Sequence, residues 1–216
     1  YPGSKADLVP VVAQILNECG LSGRPFIEPY AGSASVSLAL VEAGVVPSAV
    51  IGEQDPLLYS FWRAVFEHTD ELLERFIDLP ITLETWHSLR PLMKVKDPNT
   101  VADQVELGLA GLFFNRANFS GILNGGPIGG MLQKSQYKID CRTNKDEIIC
   151  RILAMSTLHN KINVHFGDAV ELIHSRRKRT RDVLYVDPPY YVQGENVYRC
   201  FYRLKDYKRL ADVLTT

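Results

Sequence analysis

Apolar residues recur at helical spacing near the start of the chain. Leu8, Val11, Val12, Ile15 and Leu16 predict a helix over residues 5–19, stopped by Gly20. Residues 25–29 read as a short strand and Tyr30-Ala31-Gly32-Ser33 as a turn. Residues 34–43 read as a helix ending at Gly44, and residues 48–53 as a second strand closing on Glu53. Strand, glycine turn, helix, strand and acidic residue is the layout of a nucleotide-binding α/β unit built on a parallel sheet.

After Pro56 the period changes. The pattern is helical over residues 57–66, 71–77 and 101–114, with a turn at Asp97-Pro98-Asn99. Residues 115–137 are glycine-rich and have few long apolar runs, which predicts a long loop or hairpin at a surface. Helix resumes over residues 146–158. Strand 162–166, helix 169–174, strand 183–186 and helix 205–214 then restore the α/β alternation. The expected organisation is a catalytic domain made of residues 1–56 and 160–216, interrupted by an insertion over residues 57–159. Substrate selection is the usual task of such an insertion.

The strongest chemical signal is Asp187-Pro188-Pro189-Tyr190, directly after the apolar strand Val183-Leu184-Tyr185-Val186. Asp187 falls at the carboxyl end of its strand, where open α/β sheets place their sites. The prolines fix the backbone and remove two amide donors, leaving carbonyl acceptors beside a carboxylate. An exocyclic amine on a nucleobase is a weak nucleophile, because its lone pair is delocalised into the ring. Two acceptors, the Asp187 carboxylate and the Pro188 carbonyl, can bond both amine hydrogens and stabilise the positive charge that develops on nitrogen. Tyr190 can stack on the base. A bare Asp-Pro-Pro can also simply end a strand; the following aromatic and the separate glycine turn favour chemistry here.

The second signal is Phe26-Ile27-Glu28-Pro29-Tyr30-Ala31-Gly32-Ser33-Ala34-Ser35. Gly32 permits a tight turn and close approach of a ligand to the backbone. Glu53, 21 residues beyond Gly32, can accept hydrogen bonds from ribose hydroxyls.

Taken with Tyr1-Pro2-Gly3-Ser4-Lys5 and Asn115-Arg116-Ala117-Asn118-Phe119-Ser120-Gly121, these stretches resemble the Dam-type adenine-specific DNA methyltransferases, in the family's order. The tail Tyr198-x-x-Phe201 and Asp206-Tyr207-x-x-Leu210-Ala211 fits the same pattern. The resemblance implies a Rossmann-like methyltransferase sheet flanked by helices, with an inserted, mainly helical target-recognition domain carrying a glycine-rich hairpin. It implies S-adenosylmethionine as cofactor and methyl transfer to the exocyclic amine of a flipped adenine in double-stranded DNA, with no metal. By the same resemblance, Tyr1, Lys5, Glu28, Pro29, Tyr30, Gly32, Ser33, Glu53, Asp168 and Asp187 would hold the cofactor. Asp168 is equally suited to cap the helix that follows it. Asp187, Pro188 and Tyr190 would serve the reaction. Arg116, Asn118, Phe119, Ser120 and Asn124 would meet the DNA, with Phe119 filling the gap that a flipped base leaves, or else packing as the core residue of a small hairpin, since lone aromatics are usually buried.

Two departures from the family pattern stand out. The family usually has a second glycine where Ala34 stands; alanine fits if φ there is negative. Asn124 and the run 125–130 replace a basic base-reading residue, so the target sequence stays open. Cytosine, an RNA base or a glutamine side chain are rival acceptors for the same motif, and an inactive DNA-binding relative is a further alternative. A full fold of this type also needs strands beyond Thr216.

Charge refines the picture. The chain of 216 residues carries a net charge of −1, which excludes a uniformly basic nucleic-acid binder. Residues 116–161 hold seven Lys/Arg against three Asp/Glu, whereas residues 57–115 hold five against nine. The second half of the insertion is therefore expected to face phosphate. The most basic run, Arg176-Arg177-Lys178-Arg179-Thr180-Arg181, enters the strand that ends at Asp187. It would lie about 17–20 Å from the site, at the other end of that strand, and is expected to be a solvated loop with at most a weak non-specific role on DNA. Four scattered cysteines without a Cys-x-x-Cys pair suit a reducing cytoplasm. No run of about 18 apolar residues is present, so no membrane span is expected. Duplex DNA is the expected partner, with a cognate restriction endonuclease as a candidate second one.

Overall fold

The computed structural model describes residues 3–100, 102–191 and 194–215. In chain order the elements are α1 (Val9–Glu18), β1 (Phe26–Glu28), α2 (Ser35–Glu42), β2 (Ala49–Glu53), α3 (Pro56–Glu67), α4 (Thr69–Asp78) and α5 (Leu83–Leu89). They continue with α6 (Gln104–Ala117), α7 (Lys145–Ser156), β3 (Ile162–Phe166), α8 (Ala169–Arg176), β4 (Val183–Leu184), α9 (Gly194–Val197) and α10 (Leu204–Thr215). Two compact units emerge. One is made of Gly3–Gln54, Leu158–Asn196 and Cys200–Thr216; the other of Asp55–Thr157 with Val197–Arg199.

The first unit is built on a four-stranded sheet in the order β3-β2-β1-β4, parallel throughout. Phe26 pairs with Ala49 on one side and with Val183 on the other. The ladder to β4 runs on past its named end, since Tyr185 N–H donates to the Ile27 carbonyl at 2.8 Å. All three residues of β1 are buried, as expected of a central parallel strand covered on both faces. From β1 the chain crosses to β2 and β3 on one side and returns to β4 on the other, so the strand order reverses between β1 and β4. Open α/β sheets bind ligands at such a switch point, beyond the carboxyl ends of the strands. Val36, Leu40 and Val41 of α2 are fully buried. On α8 and α10, Val170, Ile173 and Leu210 form a cluster that Tyr30, Leu184 and Val186 pack against.

The second unit is helical. Its core holds Leu57, Leu58, Trp86, Leu107, Phe113, Phe114 and Ile139. Here α6 lies close against α3, because a Cβ added at Gly108 would stand 2.6 Å from the Ser60 carbonyl oxygen. Asp55, Asp103 and Asn144 cap α3, α6 and α7 through their side chains. Arg199 returns the chain to this unit after the Asp-Pro-Pro-Tyr segment. Its guanidinium makes a buried ion pair with Asp55 at 2.8 Å and donates to the Met93 carbonyl at 2.7 Å.

Residues 115–137 are not a strand ladder. The first three complete α6, and the rest form a 3-10 turn (Phe119–Gly121) and successive turns, with one antiparallel bridge between Asn118 and Pro127. Side chains add to the backbone hydrogen bonds of these turns: Asn118 Nδ2 donates to the Ile122 and Leu123 carbonyls, and Gln133 Nε2 donates to those of Ile128 and Gly130.

Candidate active site

The site is assembled at the carboxyl ends of β1, β2 and β4. Chain leaving β1 enters Pro29 and the turn at residues 30–34, which is pinned to β2 by the Ala31 N–H on the Gly52 carbonyl at 3.0 Å. Gly52 is what allows this approach. A Cβ there would meet the Pro29 carbonyl oxygen at 2.8 Å and Leu172 Cδ2 at the same distance. Two left-handed positions follow on either side of Ser33, Gly32 at φ 48° and, at the cap of α2, Ala34 at φ 49° and ψ 21°. The condition under which alanine would fit, a negative φ, is therefore not met. This buried alanine takes the conformation that a glycine would adopt without strain.

Asp187 lies three residues past β4. Lys5 Nζ stands 2.7 Å from its Oδ2 and 5.1 Å from the centre of the Tyr190 ring. Lys5 also donates its backbone N–H to Ser35 Oγ at 3.2 Å. One lysine thus touches both the start of α2 and the Asp-Pro-Pro-Tyr segment. Desolvation works to lower its pKa, but the hydrogen bonds and charge of Asp187 and Tyr190 prevail and raise it above the usual lysine value.

Glu28, at the end of β1, is buried. Its Oε2 accepts from both the backbone N–H and the hydroxyl of Ser37, so the side chain braces the first turn of α2. Burial pushes its carboxyl up to about 7, against the lowering effect of the Ser37 hydrogen bonds. Pro29 is buried too, whereas Tyr30, Gly32, Ser33 and Glu53 are half-buried. Glu53 Oε1 accepts from the Gln54 N–H at 2.9 Å.

An aromatic chain backs the site. Tyr30 donates to the Tyr202 hydroxyl at 3.0 Å, and Tyr202 meets Tyr207 edge to face. Tyr207 donates in turn to the Pro189 carbonyl and packs edge-on against Tyr191. Burial is the main cause that pushes Tyr30 well above the ordinary tyrosine range and Tyr202 up to about 12, so both stay neutral. The sequence signal for this layer was the density of aromatics after Tyr190, but periodicity could not say which of them touch.

Asp168 takes the capping role. Its Oδ1 accepts from the Val170 N–H at 2.7 Å and its Oδ2 pairs with Arg209 at 3.2 Å. Tyr1 lies outside the described residues.

Of the residues expected to meet DNA, Phe119 is 70% exposed, and Ser120 and Asn124 are exposed as well. Ser120 adopts φ 54°. The expectation for Asn118 is corrected: it is fully buried, accepts from the Trp86 indole at 2.8 Å and donates to two carbonyls. It fixes the turn that carries Phe119 and offers no surface of its own. Arg116 is half-buried and donates through Nε and Nη2 to the Arg142 carbonyl, so it too shapes the loop.

Among the described residues, no group of three or more His, Cys, Asp or Glu side chains is placed to hold a metal ion. No helix among them is long and apolar enough to cross a membrane. No curated protein gives a significant match to the chain. The profile of one family does, over residues 1–214: the chain belongs to the D12 class N6 adenine-specific DNA methyltransferases.

Proposed function

We propose that this protein is a site-specific DNA adenine methyltransferase, moving a methyl group from S-adenosylmethionine to the exocyclic amine of a flipped adenine in duplex DNA. Family membership supports the reaction class. The observation that carries the residue roles is the convergence on one lysine of Asp187 and the start of α2, beside the switch point of the sheet.

The residues around that switch point fit the cofactor. Gly52 lets the turn at residues 30–34 lie close against β2, and left-handed backbone at Gly32 and Ala34 turns the chain back on itself before α2. Tyr30, Gly32 and Ser33 would cradle the cofactor, with Glu53 on its ribose hydroxyls and Lys5 beside it. Glu28 and Pro29 would act from beneath, by holding the turn. Asp168 would reach the adenine ring only by sharing a carboxylate already given to α8 and Arg209. When bound, the group supplies an electrophilic methyl on a sulfonium sulfur.

Asp187 would accept one amine hydrogen and the Pro188 carbonyl the other, drawing the nitrogen lone pair out of the ring. The carboxylate would then stabilise the positive charge that grows on nitrogen as the new bond forms. Lys5, paired with Oδ2, would keep the carboxylate in one rotamer and leave Oδ1 for the amine. Tyr190 would stack on the base. The surplus proton would leave the methylated amine for solvent. In the helical unit, which would read the target, Phe119 would fill the space of the flipped base, with Ser120 and Asn124 beside it. A cognate restriction endonuclease is the protein partner this reading allows.

Binding of S-adenosylmethionine by calorimetry, together with labelled-methyl transfer offered to DNA, RNA and protein, tests the reading. It predicts cofactor binding and label in DNA alone. Label in RNA or protein would replace the acceptor. Binding without transfer would make the chain an inactive relative.

A further inference from the structure

The basic run 176–181 has no part in the site described above. The structure places it beside the amino ends of the strands, since Arg176 ends α8 and Asp182 directly precedes β4. A cleft of about 650 Å³ opens there, lined by Lys178, Arg179 and Arg181 on one side and by Arg24, Pro25 and Pro47 on the other. Arg24 reaches across it, its Nη1 3.5 Å from the Thr180 carbonyl. Asp182 is the single acid in the lining, and it is paired with Arg176 at 3.4 Å. Among the described residues, no carboxylate forms an ion pair with Arg24, Lys178, Arg179 or Arg181. Four cations therefore converge on one open cleft and repel each other there, a charge that a bound polyanion would relieve.

We propose that this cleft binds backbone phosphates of duplex DNA away from the target base. The composition of the walls selects this class. Single strands and RNA loops are held by aromatic side chains on which bases stack, and among the described residues no aromatic one lines the cleft. Backbone contacts need only cations along an open groove, and they carry no sequence information. The site lies at the strand ends opposite Asp187, so it takes a segment of DNA other than the one whose adenine is flipped. It would hold the enzyme on DNA between encounters with targets, leaving the chemical step alone. Only the identity of the polyanion rests on the function proposed above.

The test compares the wild-type chain with Lys178→Ser/Arg179→Ser/Arg181→Ser, all exposed positions. Binding to a duplex of G·C pairs only, which offers no acceptor adenine, is measured against salt. The slope of log K on log salt should flatten by about 2 to 3 in the variant. Single-turnover methyl transfer to a short target duplex at saturating concentration should stay within twofold. An unchanged slope overturns the proposal, as does inorganic pyrophosphate binding in the cleft with the duplex slope unaffected, which would mark a site for free phosphate. A flattened slope in a protein whose wild-type form transfers no methyl group would keep this site and remove the activity.

Discussion

Lys5 Nζ stands 2.7 Å from Asp187 Oδ2, joining two residues 182 positions apart in the chain. Neither side chain is deeply buried, so the pair adds little to stability. Its consequence is orientation: the carboxylate proposed to meet the amine is held by one oxygen. Lys5→Met should lower single-turnover methyl transfer by about 10- to 100-fold, the scale of a misplaced reacting group, with the unfolding midpoint unchanged. A variant as fast as wild type would show that Asp187 needs no such partner.

Glu28 predicts a dependence of stability on pH. Its folded carboxyl, pushed by burial from 4.5 up to about 7, holds its proton to higher pH than it does in the unfolded chain. The folded state therefore binds more protons between those values, and stability falls as pH rises through that window. The stabilisation is fully present below 4.5 and lost above about 7, a change of roughly 3 kcal/mol. Urea unfolding at pH 5 and pH 8 should show this decline in the wild type. In Glu28→Gln the Glu28 contribution should vanish; an equal decline in that variant would assign it to other groups.

Ala34 carries backbone strain at φ 49°. Ala34→Gly should raise stability by about 1 kcal/mol, the cost of left-handed backbone for an L-residue. The midpoint of urea unfolding should rise with an unchanged slope. A fall would mean that the buried methyl contributes more than the strain costs.

Phe119 is 70% exposed on a turn that Asn118 locks from below. Phe119→Ala should leave unfolding unaltered and weaken the fluorescence rise of 2-aminopurine placed at the target adenine by about tenfold at equal enzyme. A full signal in the variant would remove the wedge from the account.

Much of the sheet-bearing unit was legible because its signals are local. Strand, turn and helix around Gly32 follow from residue types within ten positions, and Asp187 announces itself by two prolines after an apolar strand. The β3-β2-β1-β4 order came only from structure, as did the pairing of Lys5 with Asp187, since neither is periodic. Helix α5, seven residues long, is too short for a hydrophobic period to register. Asn118 was misread because its polarity suggests a surface, whereas a glycine-rich turn needs buried side-chain donors for carbonyls that no strand satisfies. Arg199 returning to Asp55 had no local signal at all.

The most direct measurement is single-turnover transfer of labelled methyl from S-adenosylmethionine to duplex DNA, followed by nucleoside analysis, for the wild type and Asp187→Asn. The account predicts N6-methyladenine from the wild type. It predicts a rate about 10²- to 10³-fold lower in the variant, with unfolding unchanged. A variant that keeps its rate, or label recovered on any base other than adenine, would contradict it.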